Sequence, residues 1–397
     1  MLTHSPEGIP VLESRNIVRR RFVMTFGIAA IIALIAWLLM SEGANDRISG
    51  GGSTATQPLI QRMSVTFQDH RSGDKDWISS SAGIDYEPVG SLGGVMRLGQ
   101  DPEIDFAITD YPLTHDTLGR MNAVQFPIAI SSIAVAYNLG QNQKSTPPLR
   151  LSVSTLSRIF SGQIQTWADS AIAADNPGIT LPATPIKLVT RADGSGSTLN
   201  LTRYLANGSA DWNRRFGSNT SIKWPASIAV KGSSAMAEAI ARQPGAIGYL
   251  ETGQARRAAI SIALLENAAG QYSPPDDANI LAAARTLDLT DIGDNHAGGT
   301  TLPAANGYPI VAASYVIMKR KNAYTADNDR ALRFFSFLLD EGREETRTLG
   351  YVPLSADIIA HVRQTWSHDL GFTSSRPTPT AAAPGQTDKT RLTMAAT

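Results

Sequence analysis

No cysteine occurs among the 397 residues. Disulfides, thiolate metal sites, cysteine nucleophiles and a lipid-modified N-terminal cysteine are thereby excluded. An excess of either charge is missing too, with 35 Lys and Arg against 35 Asp and Glu. Nucleic acid as the main partner calls for a clear basic excess, so none is expected. A small anion needs only one local basic group and some oriented amides. The six histidines (His4, His70, His115, His296, His361 and His368) are scattered singly and form no metal motif. No Walker-type phosphate loop and no internal repeat of fixed period are present. Neither a metal nor a cofactor is expected.

What the chain does contain is 42% apolar and 18% charged residues, the balance of a globular protein, over a length that suits two domains. Near the N-terminus, Arg15, Arg19, Arg20 and Arg21 precede the uncharged run FVMTFGIAAIIALIAWLLM from Phe22 to Met40. At ~1.5 Å per residue this run would span about 29 Å, close to the ~30 Å hydrocarbon core of a bilayer. The preceding positive charge places residues 1–21 in the cytoplasm and the rest outside. A cleaved signal peptide is the rival reading. Against it stand an apolar run longer than the usual h-region and the lack of a clean A-x-A site before Ser41-Glu42-Gly43. At the other end, the Pro-, Thr- and Ala-rich segment after Ser374 reads as a flexible tail.

Between these ends, short apolar runs alternate with helical patterns. Strands are predicted at 105–109, 128–137, 186–190, 246–250 and 308–318, and helices at 59–67, 153–160, 197–205, 235–242, 329–339 and 356–366. The alternation predicts an α/β fold with largely parallel sheets, in which ligands sit beyond strand ends and against helix N-termini.

Four segments share small residues, hydroxyls and glycines where a helix is about to start: 52–58 (GSTATQP), 89–95 (VGSLGGV), 108–112 (ITDYP) and 191–198 (RADGSGST). The amides of a first helical turn lack intrahelical partners and face the positive end of the dipole. Glycine admits a ligand to the backbone, and hydroxyls add uncharged donors. Each segment alone is equally an ordinary N-cap or turn; together they point to a small-anion site. A serine hydrolase built on Ser195 is disfavoured. Asp193, not glycine, stands two residues before it, as the nucleophile elbow does not allow, and no partner base is identifiable.

The string RADGSGST at 191–198 resembles the anion-binding segment of the phosphate-binding proteins of bacterial Pst-type ABC transport systems. Collinear likeness extends through GGSTATQP at 51–58, PVGSLGGV at 88–95, DFAITDYPL at 105–113, RIFSGQIQTW at 158–167, QPGAIGYLE at 243–251 and the stretch from GYVPL to TW at 350–366. It covers roughly residues 50–370. The resemblance implies a two-lobed periplasmic-binding-protein fold of type II with a hinged cleft, preceded here by one N-terminal transmembrane helix. The implied divisions are a basic N-terminus at 1–21, an anchor at 22–40, lobe I at 47–127 and 309–371, lobe II at 128–308, and a tail at 372–397. The first crossing falls near Phe126-Pro127.

By the same likeness, Thr56 and the amide of Gln57 would donate to phosphate, as would Ser91. Asp110 would accept a hydrogen bond from a protonated phosphate oxygen. Arg191 would supply positive charge with Asp193 paired to it, and Ser195, Gly196 and Ser197 would complete the cradle. Departures from the family pattern are Gln57 for a bulky apolar residue, Leu92 for a second serine, Ser197 for threonine, and a less glycine-rich 228–232. The implied function is extracytoplasmic capture of inorganic phosphate by a monomer for an ABC permease, with no catalysis. A phosphate sensor or scavenger on the same fold is the alternative.

Overall fold

A computed structural model describes residues 48–73, 83–140, 147–290, 306–320 and 328–372. The segments 1–21 and 22–40 and the tail beyond Phe372 lie outside the described residues. Among those described, no helix is long and apolar enough to cross a membrane.

The strands are β1 (Ile48–Gly52), β2 (Ile84–Glu87), β3 (Phe106–Thr109), β4 (Ala123–Tyr137), β5 (Arg150–Leu151), β6 (Lys187–Arg191), β7 (Ile228–Val230), β8 (Ala246–Glu251), β9 (Ser261–Ile262), β10 (Leu264–Glu266), β11 (Tyr272–Ser273) and β12 (Val311–Lys319). The α-helices are α1 (Gln57–Gly73), α2 (Ser91–Gln100), α3 (His115–Met121), α4 (Val153–Phe160), α5 (Ser170–Asp175), α6 (Gly196–Gly208) and α7 (Ala210–Arg215). They continue with α8 (Gly232–Arg242), α9 (Thr252–Arg257), α10 (Asp277–Ala284), α11 (Asn328–Asp340), α12 (Arg343–Thr348) and α13 (Ala356–Thr365). The result is a mixed α/β fold.

The main sheet runs β2-β1-β3-β12-β4-β8-β6-β7, with β9 also on β4; a small sheet joins β11, β10 and β5. The flanks are parallel, as the alternation predicts, but β12 runs antiparallel to both β3 and β4. The strand β4 is the connector. Its residues Ala123–Ser132 pair with β12, whereas Ile133–Tyr137 pair with β8. Two halves of the molecule therefore meet along β4, and the change of partner falls after Ser132, beyond Phe126-Pro127. All of β4 is buried. Such continuous burial requires cover on both sheet faces, which accounts for its mostly Ile, Val, Ala and Phe content, although Gln125, Ser131 and Ser132 are buried in it too.

Pro127 sits inside β4. It cannot donate to a ladder, and the register slips there: Ser314 faces Ala129 while Tyr315 faces Pro127. A bulge of this kind re-aims neighbouring side chains. Edge-to-face aromatic contacts pack the helices on the first half, with Phe335 5.0 Å from Phe106 and 5.7 Å from Phe126, and Phe126 5.2 Å from Trp366. In the second half, Tyr137 packs on Trp167 and Phe160 on Tyr249.

Candidate functional site

The four segments singled out in the sequence converge where the two halves meet. The loop after β1 turns at Ser53, whose Oγ accepts the amides of Ala55 at 3.1 Å and Thr56 at 3.2 Å. This turn leads into α1, which opens at the half-buried Gln57. Gly90 adopts φ +86° before α2, and a Cβ there would lie 2.6 Å from Asp193 Oδ2 and 2.7 Å from the Gly194 carbonyl. Only glycine permits that approach of the two halves. Ser91 follows as the first residue of α2.

Asp110 stands just beyond the end of β3 and is 2% exposed. Four hydroxyls surround its carboxylate. Ser53 donates to it at 2.6–2.7 Å, Thr56 at 3.2 Å, Ser314 at 3.2 Å and Ser91 at 3.3 Å. Burial raises its pKa above the ordinary carboxylate value, and the hydrogen bonds from Ser53, Ser314 and Thr56, with the charge of Arg191, offset part of that rise.

The second half contributes β6 and α6. Arg191 ends β6, with its side chain almost fully buried, and donates through Nε to Asp193 Oδ1 at 2.7 Å and through Nη2 to Oδ2. Burial pushes the Asp193 carboxyl up, but the hydrogen bond and charge of Arg191 outweigh it and leave its pKa lowered. The amide of Gly232 also donates to Asp193, at 3.1 Å. Ser195 caps α6 by accepting the amide of Thr198 at 3.3 Å. The Gly196 amide donates to Ser91 Oγ at 3.2 Å across the halves. Ser197 Oγ is buried and has no hydrogen-bond partner among the described residues.

Thr56, Ser91, Asp110, Arg191, Asp193, Ser195, Gly196 and Ser197 are thus gathered in one place, and Gln57 lies at the adjoining first turn of α1. Sequence reasoning missed Ser53, Ser314 and Asn200. Ser53 lay inside a segment already singled out, where its turn-forming duty hid its second role. Ser314 is a fully buried hydroxyl in an otherwise largely apolar strand, a signal that could have been read. Asn200 donates from α6 to the Asp110 carbonyl at 2.9 Å, and nothing local announces that contact.

The arrangement offers hydroxyls, helix-terminal amides, one charge-compensated guanidinium and one carboxylate acceptor, which together suit a small tetrahedral oxyanion that carries a proton.

Comparison with known proteins agrees with this chemistry. Residues 40–341 match the family model described as the PBP superfamily domain. The phosphate-binding protein PstS of Xylella fastidiosa is 32% identical over 324 residues, covering 82% of this chain and 86% of that protein. Among solved structures, the periplasmic phosphate-binding protein PfluDING, bound with phosphate, superposes with a TM-score of 0.61 at 22% identity, covering 80% of this chain and 93% of that one. The phosphate-binding protein from Stenotrophomonas maltophilia gives 0.59 at 18% identity, with 80% and 93% covered. With its fold, its site and these likenesses taken together, the chain belongs to the PstS phosphate-binding family of the periplasmic-binding-protein superfamily.

Proposed function

We propose that this protein captures inorganic phosphate outside the cytoplasm and delivers it to an ABC importer. The observation that carries the reading is the buried Asp110 carboxylate, ringed by hydroxyls and set against the N-terminus of α6, where Ser197 holds a buried hydroxyl with no partner among the described residues.

Near neutral pH phosphate keeps at least one proton, whereas sulfate keeps none. Asp110 accepts the hydrogen bond of that proton. Facing sulfate, the same carboxylate meets a bare oxygen and repels it. Sites built on such a hydrogen bond reject the analogue that lacks it by ~10⁴–10⁵-fold. Arg191 attracts the anion, and its pairing to Asp193 spares the empty site an isolated buried cation. Ser195, Ser197 and the amide of Gln57 supply further donors, and Thr56, Ser91 and the Gly196 amide join them by turning from Asp110 and Ser91 Oγ to the anion.

In this reading residues 47–127 and 309–371 form one lobe and 128–308 the other, hinged along β4, which exchanges β12 for β8 as its partner. The segment 22–40 anchors a monomer to the membrane, 1–21 stays in the cytoplasm, and 372–397 forms a tail. An anchor raises the effective concentration of the binder at its permease. No step of this function is catalytic.

Calorimetric titration of the ligand-stripped chain with phosphate and, separately, with sulfate tests the reading. One-to-one phosphate binding without a sulfate response, and weakened discrimination in Asp110→Asn, are expected. Absence of phosphate heat from folded, stripped protein would overturn it.

A further inference from the structure

The first turns of α6 reach from the second half of the molecule into the first. Leu199, 7% exposed, belongs to a small apolar cluster with Leu98, Ile104, Tyr111, Leu118 and Ile317. Its partners there all come from the first half. The next residue, Asn200, is fully buried. Its Nδ2 donates to the Asp110 carbonyl at 2.9 Å and to the Gly196 carbonyl at 3.0 Å. One side-chain amide therefore ties the main chain bearing the acceptor carboxylate to the turn bearing the anion donors.

Other contacts also cross between the halves. Leu92 N donates to the Gly194 carbonyl, Thr54 Oγ1 meets Ser233 Oγ, and Gln254 Nε2 donates to the Thr54 carbonyl. None of these touches Asp110, and the Gly196 amide, which also crosses, reaches it only through the Ser91 hydroxyl. We infer that Leu199 and Asn200 form a latch that retains the anion: Leu199 plugs the first half, and Asn200 holds Asp110 in place once the halves have met. The inference rests on the phosphate reading of the site.

Separation of the halves returns the Asp110 carbonyl to water and exposes Leu199. Both contacts therefore favour the shut arrangement and contribute nothing to the encounter of phosphate with an open cleft. The effect belongs on release. Asn200→Ala loses both hydrogen bonds, of which only the one to Asp110 crosses between the halves, and that loss should speed phosphate release about three- to tenfold. Leu199→Ala, which removes roughly three buried carbons, should speed it about tenfold or more. Leu199→Met keeps the apolar plug and should restore slow release.

The experiment loads the full chain with radiolabelled phosphate, chases with unlabelled phosphate to obtain the release rate, and obtains Kd by equilibrium dialysis. The association rate follows from their ratio. Faster release at an unchanged association rate, with the melting temperature of the ligand-free variants at the wild-type value, is the expected result. A merely structural role would instead lower that melting temperature. Wild-type binding with unaltered release in both alanine variants would overturn the latch and leave the phosphate site standing. If Asn200→Ala fails to fold, the Leu199→Ala and Leu199→Met pair decides the matter by itself. Wild-type protein that binds no phosphate would overturn the site assignment and the latch with it.

Discussion

Ser53 donates its hydroxyl proton to the carboxylate of Asp110 at 2.6–2.7 Å, and the same oxygen accepts the amides of Ala55 and Thr56. With its acceptor side occupied by two amides, the hydroxyl is oriented: its one proton goes to Asp110. A turn-forming hydroxyl ahead of α1 thus doubles as the fixed donor that helps keep a buried carboxylate ionised.

Removal of that donor should be visible in the pH dependence of binding. The Ser53 hydrogen bond lowers the Asp110 pKa against the upward push of burial, so in Ser53→Ala the pKa rises further. A protonated Asp110 no longer accepts from phosphate. Affinity in the variant should therefore begin to fall at a higher pH than in wild type as the pH is lowered, with a loss of up to about ten- to a hundredfold, the scale of one hydrogen bond to a charged group. Calorimetric titration at a series of pH values checks both the size of the loss and its displacement.

Gly196 should tolerate no side chain. A Cβ at this position would lie 2.7 Å from both Asp110 Cβ and Ser91 Oγ, and 2.9 Å from Asp110 Oδ2. Gly196→Ala should cut phosphate affinity about ten- to a hundredfold, the scale of overpacking a close contact. The ligand-free protein should melt near the wild-type temperature, because the clash lies between the halves and is relieved when they part. Equilibrium dialysis and thermal melts separate the two effects. An equal loss of stability without ligand would show that the contact belongs to the fold and not to binding.

Glu251 offers a test on the other side of the junction. It ends β8, is fully buried, and caps α9 by accepting the amides of Gly253 at 2.6 Å and Gln254 at 2.8 Å. Burial pushes its pKa up to about 7, although those two hydrogen bonds and the charges of Arg257 and Arg256 oppose the rise. A carboxyl that holds its proton more tightly when folded contributes stability fully below its unfolded pKa. That contribution is lost as the pH rises through the folded value. Wild type should therefore lose stability between about pH 4.5 and pH 7 and level off above, by about 3 kcal/mol at most. In Glu251→Gln this portion of the slope should vanish in thermal melts. A slope identical to wild type would show that other groups carry the pH dependence.

The helices were legible for local reasons. The pattern at 153–160 predicts α4 with its observed limits, and the hydroxyl-rich turn before α6 holds the cap it resembles, Ser195. Cap chemistry acts over three residues, so the sequence displays it directly. Strand limits were less clear. β4 begins five residues earlier than its apolar pattern suggests, because the predicted run starts only after Pro127, which the strand accommodates at a bulge.

The resemblance carried by short strings already pointed to Asp110, Arg191 and the turn at 195–197, since each motif is written in consecutive residues. What only the tertiary structure decided is which groups stand around Asp110. Ser53 lies 57 positions away in the chain, Ser91 19, Ser314 204, and Asn200, through the main-chain carbonyl, 90. They meet because the sheet places β1, β3 and β12 side by side and β4 passes from one half to the other. Strand order follows from burying several faces at once, a property of the whole chain that no single segment encodes.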